Sequence, residues 1–228
     1  MGSFYPKSAY LCPKSAMSSI KTFVFNAFQV NTYLLINEHN EAILIDGANY
    51  ESSEDQHLLN YITDHGITLS RHLLTHAHID HILGCRFVEE QWKIKPEMHR
   101  DSLFLWDGAE ESGSLFGFRF NRPSPPEVFL EDGATLSLGA MEIRVLHTPG
   151  HADGSLCYYL PQEKVLFSGD VLFAGSVGRT DLPTGDMGLL LRSIKTKLLA
   201  LPDDTVVLPG HGPSTTIALE RQNNPFLS

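Results

Sequence analysis

The chain has 228 residues, of which 42% are hydrophobic and 19% are charged, a composition typical of a folded globular protein rather than a disordered chain. Lysine and arginine number 17 against 27 aspartates and glutamates, and the resulting net charge of −10 disfavours nucleic acids and anionic membranes as partners. Three scattered cysteines argue against a disulfide scaffold, and no apolar run approaches the roughly 20 residues of a membrane span. We therefore expect a cytoplasmic protein.

The first half of the chain is rich in short β-type runs. One folded domain is expected at 17–228. Either Met17 is its natural start, or the polar residues 1–16 are a native extension that precedes it. A capping-box pattern at Ser53–Gln56 predicts the start of a helix that Gly66 ends. Apolar spacing over Ile82–Trp92 predicts a second helix. The strands predicted here are Ile20–Phe25, Val30–Ile36, Glu41–Ile45 and His72–Thr75.

The second half repeats this style. Asp132-Gly133 predicts a hairpin turn, and Asp186 predicts the N-cap of a helix that carries Leu190, Ile194 and Leu198 on one face. The strands predicted here are Val128–Leu130, Thr135–Leu138, Glu142–His147, Ser155–Leu160, Lys164–Phe167 and Thr205–Leu208. Strands with intervening helices indicate a single layered α/β domain.

The segment Asp107–Pro126 does not fit this pattern. Its glycines and prolines predict a long loop, and loops of that length often have a function. Its three phenylalanines, Phe116, Phe118 and Phe120, either cover the core or form a flap over a substrate pocket. Arg119 and Arg122 lie among them, and a guanidinium can hold a carboxylate.

The sharpest signal is a run of three histidines and one aspartate at positions 76–81. In an extended segment side chains alternate, so His76, His78 and Asp80 are predicted to share one side and His81 to point elsewhere. One short loop could therefore serve two adjacent ions, with His76 and His78 at one and Asp80 and His81 at the other. Imidazole and carboxylate ligands suit zinc, iron or manganese, and the lack of cysteine argues against a cysteine-type structural zinc site.

Three later turns carry further ligand-type residues. Each turn contains glycine and follows a predicted strand, and the residues in question are His151, Asp170 and His211. Together they supply the additional ligands that a site for two metals needs. His147 ends a strand itself, so we assign it to packing or to a position behind the ligands.

The order and spacing of these residues resemble the metallo-β-lactamase superfamily across nearly the whole chain. The resemblance implies a four-layer αβ/βα sandwich in one domain, with the metals at one edge between two sheets. The ligands it implies are His76, His78 and His151 for the first metal and Asp80, His81 and His211 for the second. By the same resemblance Asp170 bridges two divalent ions, with zinc favoured over iron and manganese, and Asp46 orients the ligands from behind.

Within the superfamily, the segments 169–173, 178–181 and 208–212 and the tail Asn224-Pro225-Phe226 are similar to the short bacterial type of the glyoxalase II-like branch. Larger glyoxalase II enzymes add a C-terminal helical domain that helps to bind glutathione, which we do not expect here. They also carry a lysine where Arg179 stands and a tyrosine where Pro213 or Ser214 stands, so glutathione recognition does not carry over. The expected substrate contacts are Arg179, Phe173, Phe118 and Arg119.

The resemblance implies a glyoxalase II-like thioester hydrolase that converts a small hydroxyacyl thioester and water into a hydroxy acid and a thiol. A hydroxide between two metals would attack the carbonyl, and Asp80 would position it. The leaving thiolate has a pKa of roughly 8–9, so it needs little proton assistance. The acyl group, the thiol and the oligomeric state stay open.

Two other functions remain open. One is a mononuclear iron persulfide dioxygenase, in which His76, His151 and Asp170 form a facial triad. The other is a metal-binding scaffold without turnover. A β-lactamase is less favoured because Asp170 offers a bridging carboxylate that those enzymes generally lack. Flavodiiron reductases usually have glutamate where His78 stands, and an RNA-processing nuclease conflicts with the acidic charge.

Overall fold

The computed structural model describes residues 19–227, so the expected extension at 1–16 and Cys12 lie outside the described part. The first-half strands are β1 (Ser19–Phe25), β2 (Val30–Ile36), β3 (Glu41–Ile45), β4 (Thr68–Leu73), β5 (Pro96–Met98) and β6 (Val128–Phe129). They form one sheet in chain order. Strands β1, β2 and β3 pair antiparallel, and β3 to β6 pair parallel.

The second-half strands build the other sheet. They are β7 (Thr135–Leu138), β8 (Met141–His147), β9 (Leu156–Leu160), β10 (Val165–Gly169), β11 (Leu172–Phe173), β12 (Ser176–Val177), β13 (Val206–Pro209) and β14 (Thr215–Thr216). Six of them form a sheet in the order β14-β13-β10-β9-β8-β7. Strands β11 and β12 form a separate antiparallel pair.

Seven α-helices accompany the sheets within residues 19–227. They are α1 (Ser52–Asp64), α2 (Ile79–Ile82), α3 (Cys85–Trp92), α4 (Leu103–Asp107), α5 (Ala109–Leu115), α6 (Met187–Ser193) and α7 (Ile217–Asn223). A 3-10 turn at Arg100–Ser102 precedes α4, and a π-helical turn at Ile194–Leu198 continues α6. Within this part of the chain no helix is long and apolar enough to cross a membrane.

The two sheets pack face to face, and helices cover their outer faces. One core cluster lies between the sheets and includes Tyr33, Ile43, Val145 and Phe167. A second joins the outer face of the first sheet to α1 and α3, and a third joins the outer face of the second sheet to α6 and α7. All seven residues of β2 are buried because both faces of its sheet are covered. This is the expected four-layer α/β sandwich in a single domain.

Two local predictions about turns and caps were wrong. Asp132-Gly133 does not close a hairpin, because β6 and β7 belong to different sheets; Gly133 turns the chain between them with φ +77°. The capping box of α1 lies two residues earlier than predicted, where the Glu54 carboxylate accepts the backbone N–H of Glu51 at 3.2 Å. The caps predicted at Gly66 and Asp186 are confirmed, since Gly66 has φ +60° and the Asp186 side chain accepts the N–H of Leu189.

The segment Asp107–Pro126 is not a plain loop, because helix α5 occupies its first part. Phe118 and Phe120 are each 8% exposed and belong to a core cluster with Trp106 and Ile79, as the core interpretation predicts. Phe116 stays half exposed. This segment therefore packs against α2, the helix that contains Asp80 and His81.

Candidate metal centre

The histidine motif follows shortly after the end of β4. The strand ends at Leu73 rather than at the predicted Thr75, because the N–H of Thr75 donates to Oδ1 of Asp46 at 2.7 Å instead of to a strand. His78 is the last extended residue, and α2 begins at Ile79. The prediction that Asp80 follows the alternation of an extended strand was therefore wrong, because Asp80 lies in the first turn of a helix.

His76, His78 and His151 form the first of two neighbouring groups. Nδ1 of His78 lies 2.9 Å from Nε2 of His151, and that atom lies 3.2 Å from Nε2 of His76. The other nitrogen of His151 donates its proton to the carbonyl of Arg179 at 2.8 Å. Nδ1 of His76 lies 3.0 Å from Oγ1 of Thr75, whose own proton goes to Asp46, so His76 donates there. The facing nitrogens of His76 and His151 therefore carry lone pairs, while the other ring nitrogen of His78, Nε2, is buried without a hydrogen-bond partner among residues 19–227.

Asp80, His81 and His211 form the second group. Nε2 of His211 lies 3.3 Å from Nε2 of His81 and 3.3 Å from Oδ2 of Asp80. The outward nitrogens are again held, since Nδ1 of His81 donates to Asp46 at 2.9 Å and Nδ1 of His211 donates to the carbonyl of Phe28 at 2.9 Å. The structure thus brings together the same two sets of three residues that the family resemblance implies.

Asp170 lies between the two groups. Its Oδ1 is 3.4 Å from Nε2 of His81, and its Oδ2 is 3.4 Å from Nε2 of His211 and 3.7 Å from Nε2 of His151. The carboxylate fits this position because a β-carbon on Gly210 would lie only 2.2 Å from Oδ1. Asp170 can therefore contact an ion on either side.

The arrangement fits two divalent cations. The lone pairs of His76 and His151, on nitrogens only 3.2 Å apart, repel one another unless a cation or a proton lies between them. Oδ1 of Asp170 is buried and has no hydrogen-bond partner among residues 19–227. Five imidazoles and two carboxylates are a donor set that suits zinc, iron or manganese. The residues present would hold one cation in each group.

The two groups differ in their protonation. Burial and the neighbouring His81 and His78 hold the pKa of His76 well below its usual value, so its imidazole is neutral. Burial also disfavours a charged His211, but hydrogen bonds to Asp170 and Asp80 outweigh that effect and raise its pKa to about 9. The first group is thus ready for a cation near neutral pH, whereas the second has to lose protons first.

Asp46 supports both groups from behind, in the position that the resemblance implies. Its carboxylate accepts from the backbone and hydroxyl of Thr75 and from Nδ1 of His81. The Asp46–Gly47 turn is held in turn by His72, whose Nε2 accepts the N–H of Gly47 at 3.0 Å. Burial lowers the pKa of His72 to about 3, so it stays neutral.

The predicted substrate contacts fall at different distances from this centre. The Phe173 ring lies 6.4 Å from the ring of His211. The Arg179 guanidinium forms two hydrogen bonds with Asp181. Arg179 contacts the centre through its backbone carbonyl, which accepts the proton of His151. Phe118 packs beside Phe28, the residue whose carbonyl holds His211, and the N–H of Arg119 donates to the hydroxyl of Tyr50.

His147 lies apart from these groups, as its assignment to packing implies. Its ring stacks on His99 with centroids 3.9 Å apart, and Asp101 completes a small cluster there. Sequence reasoning missed Thr75, Phe28 and the carbonyl of Arg179. A threonine beside a metal-type histidine is a usable signal, whereas a backbone carbonyl leaves no trace in the sequence.

Comparisons with known proteins identify the family of this chain. The family model described as the Metallo-beta-lactamase superfamily matches residues 25–211. "Probable metallo-hydrolase YqgX" of Bacillus subtilis is 39% identical over 202 residues, covering 88% of this chain and 93% of that protein. "Hydroxyacylglutathione hydrolase GloC" of Haemophilus influenzae is 34% identical over 212 residues, covering 92% of this chain and 98% of that protein.

Solved structures extend the same likeness. The BLEG-1 B3 metallo-beta-lactamase is 40% identical with a TM-score of 0.84, covering 92% of this chain and 99% of the other. TTHA1623 in a di-iron-bound form is 38% identical with a TM-score of 0.80, covering 91% and 100%. ETHE1 from Myxococcus xanthus is 28% identical with a TM-score of 0.73, covering 90% and 83%. The chain belongs to the metallo-beta-lactamase superfamily.

Proposed function

We propose that this protein is a glyoxalase II-like thioester hydrolase that uses two divalent cations. The observation that carries the proposal is the meeting of two three-residue groups on one carboxylate, Asp170. The likeness to the hydroxyacylglutathione hydrolase GloC over nearly the full length of both chains supports the reaction class. We further propose a small-molecule thioester as substrate and the cytoplasm as the compartment.

The chemistry follows from the donor set. Two bound divalent cations supply a water of lowered pKa and a Lewis acid for the thioester carbonyl. Asp80 accepts a hydrogen bond from the attacking water and orients it toward the carbonyl. Nearby histidines hold the pKa of the Asp80 carboxyl below its usual value against the opposing effect of burial, so it is ionised and can accept. The thiol leaves as a thiolate, which requires no acid from the chain.

We propose zinc as the preferred metal, with iron or manganese as alternatives. All three accept imidazole and carboxylate together. The similar TTHA1623 has been solved in a di-iron-bound form, which supports a place for two ions and keeps iron among the candidates.

The test combines metal content with a substrate panel. Protein purified without added metal and then reconstituted should hold two cations per chain and hydrolyse S-lactoyl and other hydroxyacyl thioesters above a metal-stripped control. A lactone and a β-lactam complete the panel, the latter because a B3 metallo-beta-lactamase is among the similar structures. A ceiling of one cation per chain, or β-lactam hydrolysis without thioester hydrolysis, would overturn the proposal.

A persulfide dioxygenase is the second candidate. His76, His151 and Asp170 lie together, and the chain is similar to ETHE1. A facial triad of this kind holds one iron and leaves positions for oxygen and substrate. Oxygen consumption with glutathione persulfide and iron-loaded protein, with a single iron per chain, would favour this function over hydrolysis. A metal-binding scaffold would show neither reaction.

A further inference from the structure

Four aromatic side chains form a continuous surface that we call the aromatic wall: Phe28, Tyr50, Phe116 and Phe118. The Phe28 ring lies 5.6 Å from Phe116 and 5.4 Å from Phe118, and the Tyr50 ring lies 5.0 Å from Phe118. Rings at these separations make favourable packed contacts. The wall joins three separate segments: the β1–β2 turn, the connection after β3 and the chain that follows α5. It is therefore a surface that tertiary packing assembles.

The wall meets the metal centre at the β1–β2 turn. The carbonyl of Phe28 accepts the Nδ1 proton of His211 at 2.9 Å. In the same turn the Asn26 side chain donates to the carbonyl of Asp80 at 2.9 Å. These bonds fix the β1–β2 turn, which carries Phe28, against the second group of residues.

This side of the centre is partly open to solvent. The His211 side chain is 27% exposed, compared with 0% for His81. Phe28 is 42% exposed and Phe116 is 47% exposed, whereas Phe118 beneath them is 8% exposed. The wall thus has a buried base and an open apolar face beside the accessible edge of the centre. An exposed apolar patch in such a place is typical of a binding surface.

Space for a ligand continues along the wall. Phe118 and Tyr50 line a wide cleft of about 630 Å³ together with Glu51, Ser114, Gly117 and Arg119. Ligand sites commonly measure about 300–1,000 Å³ and combine apolar walls with a few polar groups. The Tyr50 hydroxyl already accepts the N–H of Arg119 and is held in place at the cleft.

We propose that the aromatic wall binds an uncharged hydrocarbon substituent of the substrate. This inference rests on the proposed thioester hydrolysis, which does not itself specify the substituents of the thioester. A highly charged thiol carrier fits the wall itself less well, because all four of its side chains are uncharged and aromatic and the Arg179 guanidinium is engaged by Asp181. The two charged residues of the cleft, Glu51 and Arg119, are of opposite sign. Phe28 and Phe116 are the residues that determine this specificity.

The first experiment varies one side of the thioester at a time with the zinc-reconstituted protein. The acyl series runs from acetyl to octanoyl on one thiol, and the thiol series runs from methyl to hexyl with one acyl group. Each methylene that the wall buries should raise kcat/KM by up to about fourfold, the equivalent of about 0.8 kcal/mol per buried methylene. The series that shows this rise identifies which substituent the wall binds.

The variants are Phe28→Ala and Phe116→Ala, which lie on separate elements, so one remains informative if the other folds poorly. Either should flatten the rise with chain length, and Phe116→Ala should change kcat for the shortest substrate less than twofold. Phe28→Ala is compared only by its chain-length dependence, because the Phe28 carbonyl accepts the His211 proton. Phe104→Ala is the matched control: among residues 19–227 its exposed ring makes no contact with the wall rings. It should leave the chain-length dependence intact.

A binding measurement separates this inference from the proposed reaction. Calorimetric titration of the zinc-loaded protein with acetate and octanoate should show at least tenfold tighter binding of octanoate, and both wall variants should abolish the difference. If octanoate binds more tightly in this way but no thioester is hydrolysed, the binding role of the wall is supported and the proposed hydrolysis is refuted. Thioester turnover with no dependence on chain length in either series, and equal binding of the two acids, would overturn the wall.

Discussion

Four of the five histidines in the centre present one nitrogen to the site because the protein already holds the other. The outward nitrogens of His76 and His81 contact Thr75 and Asp46, and those of His151 and His211 donate to backbone carbonyls. Each contact fixes both the tautomer and the ring orientation, which is what groups behind a metal ligand commonly do. The ring orientations are therefore set before any cation arrives. The inward nitrogens of His76 and His151 already present lone pairs, whereas His211 has to lose a proton first.

Replacement of Asp80 by asparagine tests the charge at the second group. The amide keeps the shape of the side chain but loses the anion that lies 3.3 Å from His211 and that would hold a cation and orient water. We expect kcat to fall by at least about a hundredfold, the scale of losing such a group, while the fold persists. Steady-state kinetics and circular dichroism measure the two effects. Asp64→Asn, at the exposed end of α1, is the control, and near-normal turnover of D80N would refute the role of Asp80.

Thr75 offers a sharper test, because threonine and valine have nearly the same shape. Thr75→Val removes the oxygen that accepts the His76 proton and that donates to Asp46. We expect cation affinity to fall by about 10- to 100-fold, and Thr75→Ser to retain most of it. Competition with a chromophoric chelator measures the affinity. Equal affinities for the valine and serine variants would show that the hydroxyl has no part in the site.

The candidate ligand residues that the structure brings together could be picked out from the sequence, because three histidines and an aspartate at close spacing are rare by chance. The groups that hold these residues from behind were only partly predictable from the sequence. Asp46 came from the family resemblance, while the carbonyls of Phe28 and Arg179 could come from any residue type. The prediction that Asp80 shares one side with His76 and His78 failed for a different reason. The Asp46 carboxylate takes the N–H of Thr75 out of the strand pairing, and Asp80 then lies in helix α2.

At the scale of elements, helix α6 braces the loop that carries His151. The backbone N–H of Asp186 donates to the carbonyl of Gly150 at 2.8 Å, and its side chain caps the helix by accepting from Leu189 at 2.8 Å. A β-carbon on Gly150 would lie 2.1 Å from the backbone nitrogen of Leu190, so the loop and the helix are in direct contact.

Loss of this cap should therefore destabilise the fold. Asp186→Ala leaves the Leu189 N–H without its acceptor, and we expect the free energy of unfolding to fall by about 0.5–2 kcal/mol. Urea unfolding of the metal-free protein measures this without a contribution from bound cations. Asp186→Asn keeps an acceptor and should lie within a few tenths of a kcal/mol of the unchanged chain. If the two variants lose equal stability, the cap is not the cause.

Elements whose residues decide their own structure were predicted well. Val30–Ile36, Glu41–Ile45 and Thr135–Leu138 have the bounds that their β-type composition predicts. Helix α5 was missed because Gly113 within it lowers helix propensity and the neighbouring glycines and prolines indicate a loop. Gly133 does turn the chain as predicted, but which strands then pair depends on the two sheets as whole units.

At the scale of the molecule, cation binding should be linked to proton release. In the metal-free protein hydrogen bonds to Asp170 and Asp80 outweigh burial and raise the pKa of His211 to about 9, so at pH 7.5 it carries a proton that a cation must displace. Affinity should therefore rise with pH toward about 9 and then level off. Calorimetry at pH 7.5 in two buffers of different ionisation enthalpy should report at least one proton released per chain. A buffer-independent enthalpy would contradict this.

The connection between β6 and β7 at 131–134 is largely exposed and separates the two sheets of the sandwich. The four ligand residues at 76–81 precede it, while His151, Asp170 and His211 follow it. A protease site placed there would divide the protein into two polypeptides, neither of which holds a complete set of donors. Bound ions would then be shared between the two fragments and would stabilise their association. A chelator that removes the ions would weaken that association.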